Sequence, residues 1–261
     1  GNYAVTVTYA NGCTATSASG TVSSNTTAPA VAITGAGELN CSVTSLTLTA
    51  DQNGTAYAWT LNGAPIAGNT KSISATAAGN YAVTVTYANG CTATSANATV
   101  SSNTTAPAVA ITGLGSGVIT CATPTITLSS NQVAASYAWT KNTVPAGLAA
   151  TLDASDAATY GLTVTYANGC TATASNVVTT KDASIPTVTL NGAVNGDEIN
   201  CTISNYTLGF NVSSGTVVNT KWSDNSSGNT LTVTDAGTYN VEVEMDNGCF
   251  ATSNSMSIVK N

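Results

Sequence analysis

The chain has 261 residues, of which only 7% are charged, against about 25% in ordinary soluble domains. Five Lys face twelve acids, Arg and His are absent, and the net charge is −7. That balance excludes a basic nucleic-acid footprint, a histidine metal site, an imidazole general base and a catalytic triad; no apolar run approaches the roughly 20 residues of a membrane-spanning helix.

The chain repeats itself. Residues 1–35 recur as residues 79–113 with two substitutions, Ser19 against Asn97 and Gly20 against Ala98. The block returns in weaker form, marked by Tyr3, Tyr81, Tyr160 and Tyr239 and by Cys13, Cys91, Cys170 and Cys249, with a spacing of 78 or 79 residues. That period is too long for a solenoid unit and right for a small domain. The expected division is the C-terminal part of one repeat at residues 1–27, then whole repeats at 28–106, 107–185 and 186–261. The first begins in mid-domain, so the sequence reads as a stretch from inside a longer polypeptide. Near-identical neighbours suit length or repeated presentation, not an enzyme with one unique site.

In chain order, the second repeat shows its strands best. Leu46, Leu48 and Ala50 alternate with Thr47 and Thr49. Tyr57, Trp59 and Leu61 alternate with Ala58 and Thr60, and Tyr81, Val83, Val85 and Tyr87 with Ala82, Thr84 and Thr86. This is the period-2 pattern of half-buried strands, with Thr keeping β-propensity high on the outer face. Ala88-Asn89-Gly90 then predicts a tight hairpin that returns the chain antiparallel after Cys91. The same turn recurs at Asn11-Gly12, Asn168-Gly169 and Asn247-Gly248.

About seven strands per repeat and one Trp each predict an all-β chain of tandem immunoglobulin-like β-sandwich domains. Trp59, Trp139 and Trp222 fall where a core Trp of the third strand lies. Tyr81, Tyr160 and Tyr239 fall at the approach to the sixth strand, where a tyrosine corner forms. The cysteines depart from the antibody pattern: Val83 and Val241 hold the place of the second Cys. Short Pro linkers at Ala28-Pro29, Ala106-Pro107 and Ile185-Pro186 restrict the preceding residue to extended geometry, so the array is expected to be rod-like.

Seven cysteines with regular placement imply disulfides and an oxidising compartment; there is no Cys-x-x-Cys and no His for zinc. Two pairings stay open. Cys41 with Cys91 and Cys121 with Cys170 would close each domain on itself. In an immunoglobulin-like sandwich, however, those residues lie at opposite poles, separated by a strand of roughly 20 Å, whereas a disulfide needs Cα atoms about 4.4–6.8 Å apart. Interdomain pairing would join Cys41 to Cys170 and Cys121 to Cys249. Cys13 and Cys91 would then pair with upstream residues, and Cys201 with a downstream one.

Other candidates are weaker. Asp197, Glu198, Asp224, Asp235, Glu242, Glu244 and Asp246 cluster in the last repeat; a solvated acidic face explains them more simply than a calcium site. Lys141 and Lys221 lie beside the Trp strand, where an internal amide cross-link is conceivable. Tyr9, Tyr87 and Tyr166 read as packing residues before a sugar-stacking ladder. No cofactor, metal ligand or catalytic residue is expected.

Strings such as Asn80-Tyr81-Ala82-Val83-Thr84-Val85-Thr86 followed by Ala88-Asn89-Gly90-Cys91-Thr92-Ala93-Thr94 resemble the immunoglobulin-like repeats of giant cell-surface adhesins of Bacteroidota, whose best-known members are gliding-motility adhesins of the SprB type. The resemblance covers every repeat. It implies a very long extracellular filament at the cell surface, exported by type IX secretion and engaged by motility or secretion machinery, with external surfaces or polysaccharide bound at a distal tip. The expected function is the structural stalk of such an adhesin, its partners being neighbouring repeats of the same chain. The alternatives are a glycan- or surface-binding module and a spacer attached to a secreted hydrolase.

Overall fold

A computed structural model describes residues 1–261, all in strands and connections with no helix. The chain forms two compact units, one of residues 1–105 with 168–170, the other of residues 106–167 with 171–261.

In the first unit the alternating runs build a two-sheet sandwich. Ile33–Thr34 pairs with Leu46–Ala50, which pairs with Ser72–Ala75. The facing sheet runs Glu38–Asn40, Ala98–Asn103, Gly79–Thr86, Ala56–Leu61 and Ala64–Pro65. Its edge pair, Glu38–Asn40 with Ala98–Asn103, is parallel. The inward residues Leu48, Trp59, Val83 and Val85 are sealed from solvent, while the outward Thr84 and Thr94 share a hydroxyl hydrogen bond of 2.8 Å. Burying each such side chain contributes about 1.5–3 kcal/mol, so one inner face supplies most of the driving force.

The repeat holds nine strand segments where sequence alternation predicts about seven. The first strand is split between the two sheets at Gly35. Its φ is +87°, and a Cβ there would collide with the Thr47 carbonyl. Gly113 and Gly192 meet Thr127 and Thr207 in the same way, so only glycine lets the chain cross over at this point. The hairpin also departs from a two-residue turn. Gly90 N–H donates to the Tyr87 carbonyl at 2.9 Å, and positive φ falls on Gly90 alone, not on Asn89.

Residues 1–27 repeat the hairpin half of this design. Asn2–Tyr3 pairs with Gly20–Thr21, and Thr6–Thr8 with Thr14–Thr16. No second sheet covers them: Tyr3, Val5 and Val7 are 67%, 61% and 47% exposed.

The second unit holds two sandwiches of the same plan. One pairs Ile111–Thr112, Ile126–Ser130 and Thr151–Ala154 against a sheet centred on Ala158–Thr165. The other is centred on Val241–Met245, and its Trp222 meets Phe210 edge-to-face at 6.2 Å. In each sandwich the Trp indole N–H is satisfied by a carbonyl: Trp59 by Thr70 at 3.0 Å, Trp139 by Ala149 and Trp222 by Gly228 at 2.9 Å. Tyr81 and Tyr239 hydroxyls donate to the carbonyls of Ala77 and Asp235 at 2.9 Å, and Tyr160 to that of Asp156 at 3.5 Å. Those are tyrosine corners, which fix the approach to the sixth strand.

Candidate functional site

The site with most built-in geometry is a joint between a loop and a hairpin. The loop follows the parallel edge strand. Asn40 Oδ1 accepts from the N–H groups of Ser42 and Val43 at 3.0 and 2.7 Å, and Asn40 N–H donates to the Val43 carbonyl at 2.8 Å. Thr120 takes the same part, accepting from Thr123 N–H at 3.0 Å. This short side-chain clasp fixes the turn locally and presents Cys41 and Cys121 at the sandwich end.

The hairpin is Asn-Gly-Cys. Each Asn folds back to accept from the cysteine N–H: Asn168 from Cys170 at 3.1 Å, Asn247 from Cys249 at 3.0 Å. The free amide nitrogen then grips the preceding linker. Asn168 Nδ2 donates to Asn103 O, Asn103 Oδ1 and Thr105 O, all at 3.1 Å. Asn247 Nδ2 donates to Asp182 Oδ1 at 3.2 Å and Ser184 O at 3.1 Å. The glycine between lets the two backbones touch, since a Cβ on Gly169 or Gly248 would overlap Ser42 or Ala122.

The structure brings Cys41 together with Cys170 and Cys121 with Cys249, each pair bonded with Cα atoms 5.0 Å apart. Backbone contacts reinforce each bond: Cys41 N–H donates to Asn168 O at 3.1 Å and Ala122 N–H to Asn247 O at 3.3 Å. Each bridge therefore ties the loop of one sequence repeat to the hairpin of the next. Cys13, Cys91 and Cys201 remain free thiols. Cys170 and Cys249 are buried, at 3% and 1% exposure. Disulfides of this kind persist in oxidising, extracellular compartments.

Electrostatics at the joint are mild. The Ser184 hydroxyl and then the Asn247 amide hold the Asp182 carboxyl below the usual carboxylate range. Tyr166 and Tyr87 hydroxyls donate to the linker carbonyls of Pro107 at 2.9 Å and Pro29 at 3.0 Å, which is how these tyrosines serve packing. Lys141 forms an exposed ion pair with Asp156 at 2.7 Å, and its hydrogen bond lowers that carboxyl's pKa. Lys221 and Glu242 instead line a shallow cleft of about 280 Å³ with Asn219, Glu244 and the exposed Phe250. No three His, Cys, Asp or Glu side chains gather as a metal site.

Sequence reasoning assigned Asn89, Asn168 and Asn247 only a turn role and overlooked Asn40, Thr120 and Asn200. The available signal was recurrence: Asn stands before every Gly-Cys, and Asn or Thr before every loop Cys.

No protein-family model matches the chain, and no curated protein matches it. Among solved structures, it is similar to part of a 1.5-MDa bacterial ice-binding adhesin, at 15% identity and a TM-score of 0.48, covering 88% of this chain and 96% of the other. It is also similar to three N-terminal domains of the bacteriophage RB49 outer capsid protein Hoc, at 13% identity and a TM-score of 0.35, covering 89% and 98%. A tandem of titin domains I9–I11 matches at 11% identity and a TM-score of 0.30, covering 88% and 100%. The chain is a tandem of immunoglobulin-like β-sandwiches.

Proposed function

We propose that these repeats are the stalk of a secreted cell-surface adhesin. The observation that carries this reading is the pair of bridges Cys41–Cys170 and Cys121–Cys249, each joining a loop of one repeat to the hairpin of the next. Between adjacent small domains an interface is ordinarily modest and hinged. A disulfide set beside a Pro linker, with an Asn clamp on that linker, removes the hinge and lets tension pass through covalent bonds. Stiff, repeated units of this kind extend and transmit force; they catalyse nothing.

The repeat strings support the finer reading of a giant Bacteroidota-type adhesin, exported by type IX secretion and engaged in gliding motility through surface machinery, with binding of surfaces or polysaccharide at a distal tip. Small-angle scattering tests the stalk. The oxidised chain should scatter as an extended, rigid array, and the Cys41→Ser/Cys121→Ser double variant should gain inter-repeat flexibility. An oxidised chain that scatters as flexibly as the double variant contradicts the proposal.

One observation favours a second reading, a glycan-binding module. The outer sheet face of the last repeat replaces the Ala and Thr of its neighbours with Asn219, Lys221, Glu242, Glu244 and Phe250 around one cleft. An exposed aromatic ring among polar groups suits the apolar face and hydroxyls of a sugar. A glycan array that shows binding lost in Phe250→Ala would establish it; no binding to any glycan would dismiss it.

A further inference from the structure

The two occupied joints define a rule, and the last repeat meets its first half. Asn200 Oδ1 accepts from Thr202 and Ile203 N–H at 2.9 and 3.0 Å, and Asn200 N–H donates to the Ile203 carbonyl at 2.9 Å. That is the clasp of the Asn40 loop, formed with no hairpin on it. The parallel edge beneath it is also the same. Asn103 pairs with Asn40, Asp182 with Thr120, and Lys260 with Ile199, which sets Asn261 beside Asn200 where the Asn103 and Asp182 clamps lie in the occupied joints. Asn261 N–H donates to the Ile199 carbonyl at 3.0 Å, which holds it there. Cys201 is exposed and unbonded.

The matching half lies in the hairpin Tyr9–Cys13. Its backbone is closed by Tyr9 N–H to Cys13 O at 2.8 Å, and Asn11 Oδ1 accepts from Cys13 N–H at 3.1 Å, as in the occupied hairpins. Cys13 is exposed, and the Asn11 amide nitrogen has no partner. The other unbonded hairpin is different: Asn89 Nδ2 already grips Asn25 O at 3.1 Å, and Cys91 is half-buried.

We propose that the Asn200–Ile203 loop, with Asn261 beside it, is a socket for an Asn-Gly-Cys hairpin, and that the Tyr9–Cys13 hairpin of a second copy of this chain fills it. The assembly is head-to-tail, locked by a Cys201–Cys13 disulfide. Such a heterologous contact does not close on itself and propagates as a filament. Oxidised glutathione suffices for the chemistry. One thiolate attacks its disulfide, releasing a glutathione thiol. The second thiolate then displaces the other glutathione from the mixed disulfide. Two protein thiols lose two electrons and two protons, and two glutathione thiols are formed. This holds whether or not the chain belongs to a stalk.

The test mixes isotope-labelled and unlabelled chain in a glutathione redox buffer and maps disulfide-linked peptides without reduction. The expected result is a mixed-label Cys201–Cys13 linkage as the dominant new bond, with a ladder on a non-reducing gel. Cys201→Ser or Cys13→Ser abolishes the ladder, and Cys91→Ser leaves it. Thr202→Trp keeps both thiols but obstructs the position where Ser42 and Ala122 meet the hairpin glycine. It should suppress the linkage while Cys41–Cys170 and Cys121–Cys249 still form, which certifies the fold. Chance proportions of Cys201–Cys201, Cys13–Cys13 and Cys201–Cys91, a dominant Cys201–Cys91 bond, or a linkage indifferent to Thr202→Trp would overturn the proposal.

Discussion

Residues 1–27 and 79–105 carry almost one sequence in two environments. Val5 and Val7 are 61% and 47% exposed, while their counterparts Val83 and Val85 are sealed. The strands and turn are nonetheless the same: Thr6–Thr8 pairs with Thr14–Thr16 as Thr84–Thr86 pairs with Thr92–Thr94. The hairpin is thus a local product of Thr alternation, the Asn fold-back and a glycine at positive φ. Burial is contributed by the rest of the sandwich. The same division holds at the cysteines, where Asn40 and Asn200 shape identical loops with and without a bridge.

The sharpest way to break this comparison is to remove a bridge. Cys121→Ser should leave both sandwiches folded and both loops clasped. It should lower the stability of the oxidised chain by up to about 5 kcal/mol, the loop-entropy ceiling for a 128-residue separation. Denaturant unfolding with and without reductant measures it, and reductant should erase most of the difference.

A matched pair tests whether burial rather than strand identity carries the energy. Val83→Ala should cost about 2 kcal/mol through lost burial and a cavity. Val5→Ala, with the same neighbours in sequence, should fall within about 0.5 kcal/mol of zero. Equal effects would mean that residues 1–27 are packed in solution.

A smaller effect separates the second and third repeats at their Trp-strand turn. Asn62-Gly63 has φ of 50° and 82°, whereas Asn142-Thr143 places a β-branched residue at φ 71°. Thr143→Gly should therefore stabilise the third repeat by about 1 kcal/mol, read as a raised denaturation midpoint.

The smallest effect distinguishes the two joints by pH. Asp182 stands where the other joint has Asn103, and its folded pKa is lowered from 3.8. Its contribution is present above about pH 4 and lost as pH falls through the folded value. Thermal melts of oxidised chain between pH 5 and 2 should show this loss, reduced in Asp182→Asn.

Much of this fold was legible. Strand alternation, one Trp per repeat and the tyrosine corners each reflect a side chain with one place to go, so their spacing carries the sandwich. The crossover at Gly35 was not read, because its need is a close approach to the Thr47 carbonyl, across the sheet and twelve residues away. The Asn clamps were missed for a similar reason. Asn168 makes its turn contact within two residues but its linker contacts 63 and 65 residues away. Pattern reading sees the first kind of contact and only recurrence hints at the second.

The most direct test of the stapled stalk is to pull single chains by their ends with and without reductant. With the bridges intact, tension should bypass much of the chain between Cys41 and Cys249. Reduction should release on the order of 500 Å of additional contour length. The same length released under both conditions would contradict a load path through the cysteines.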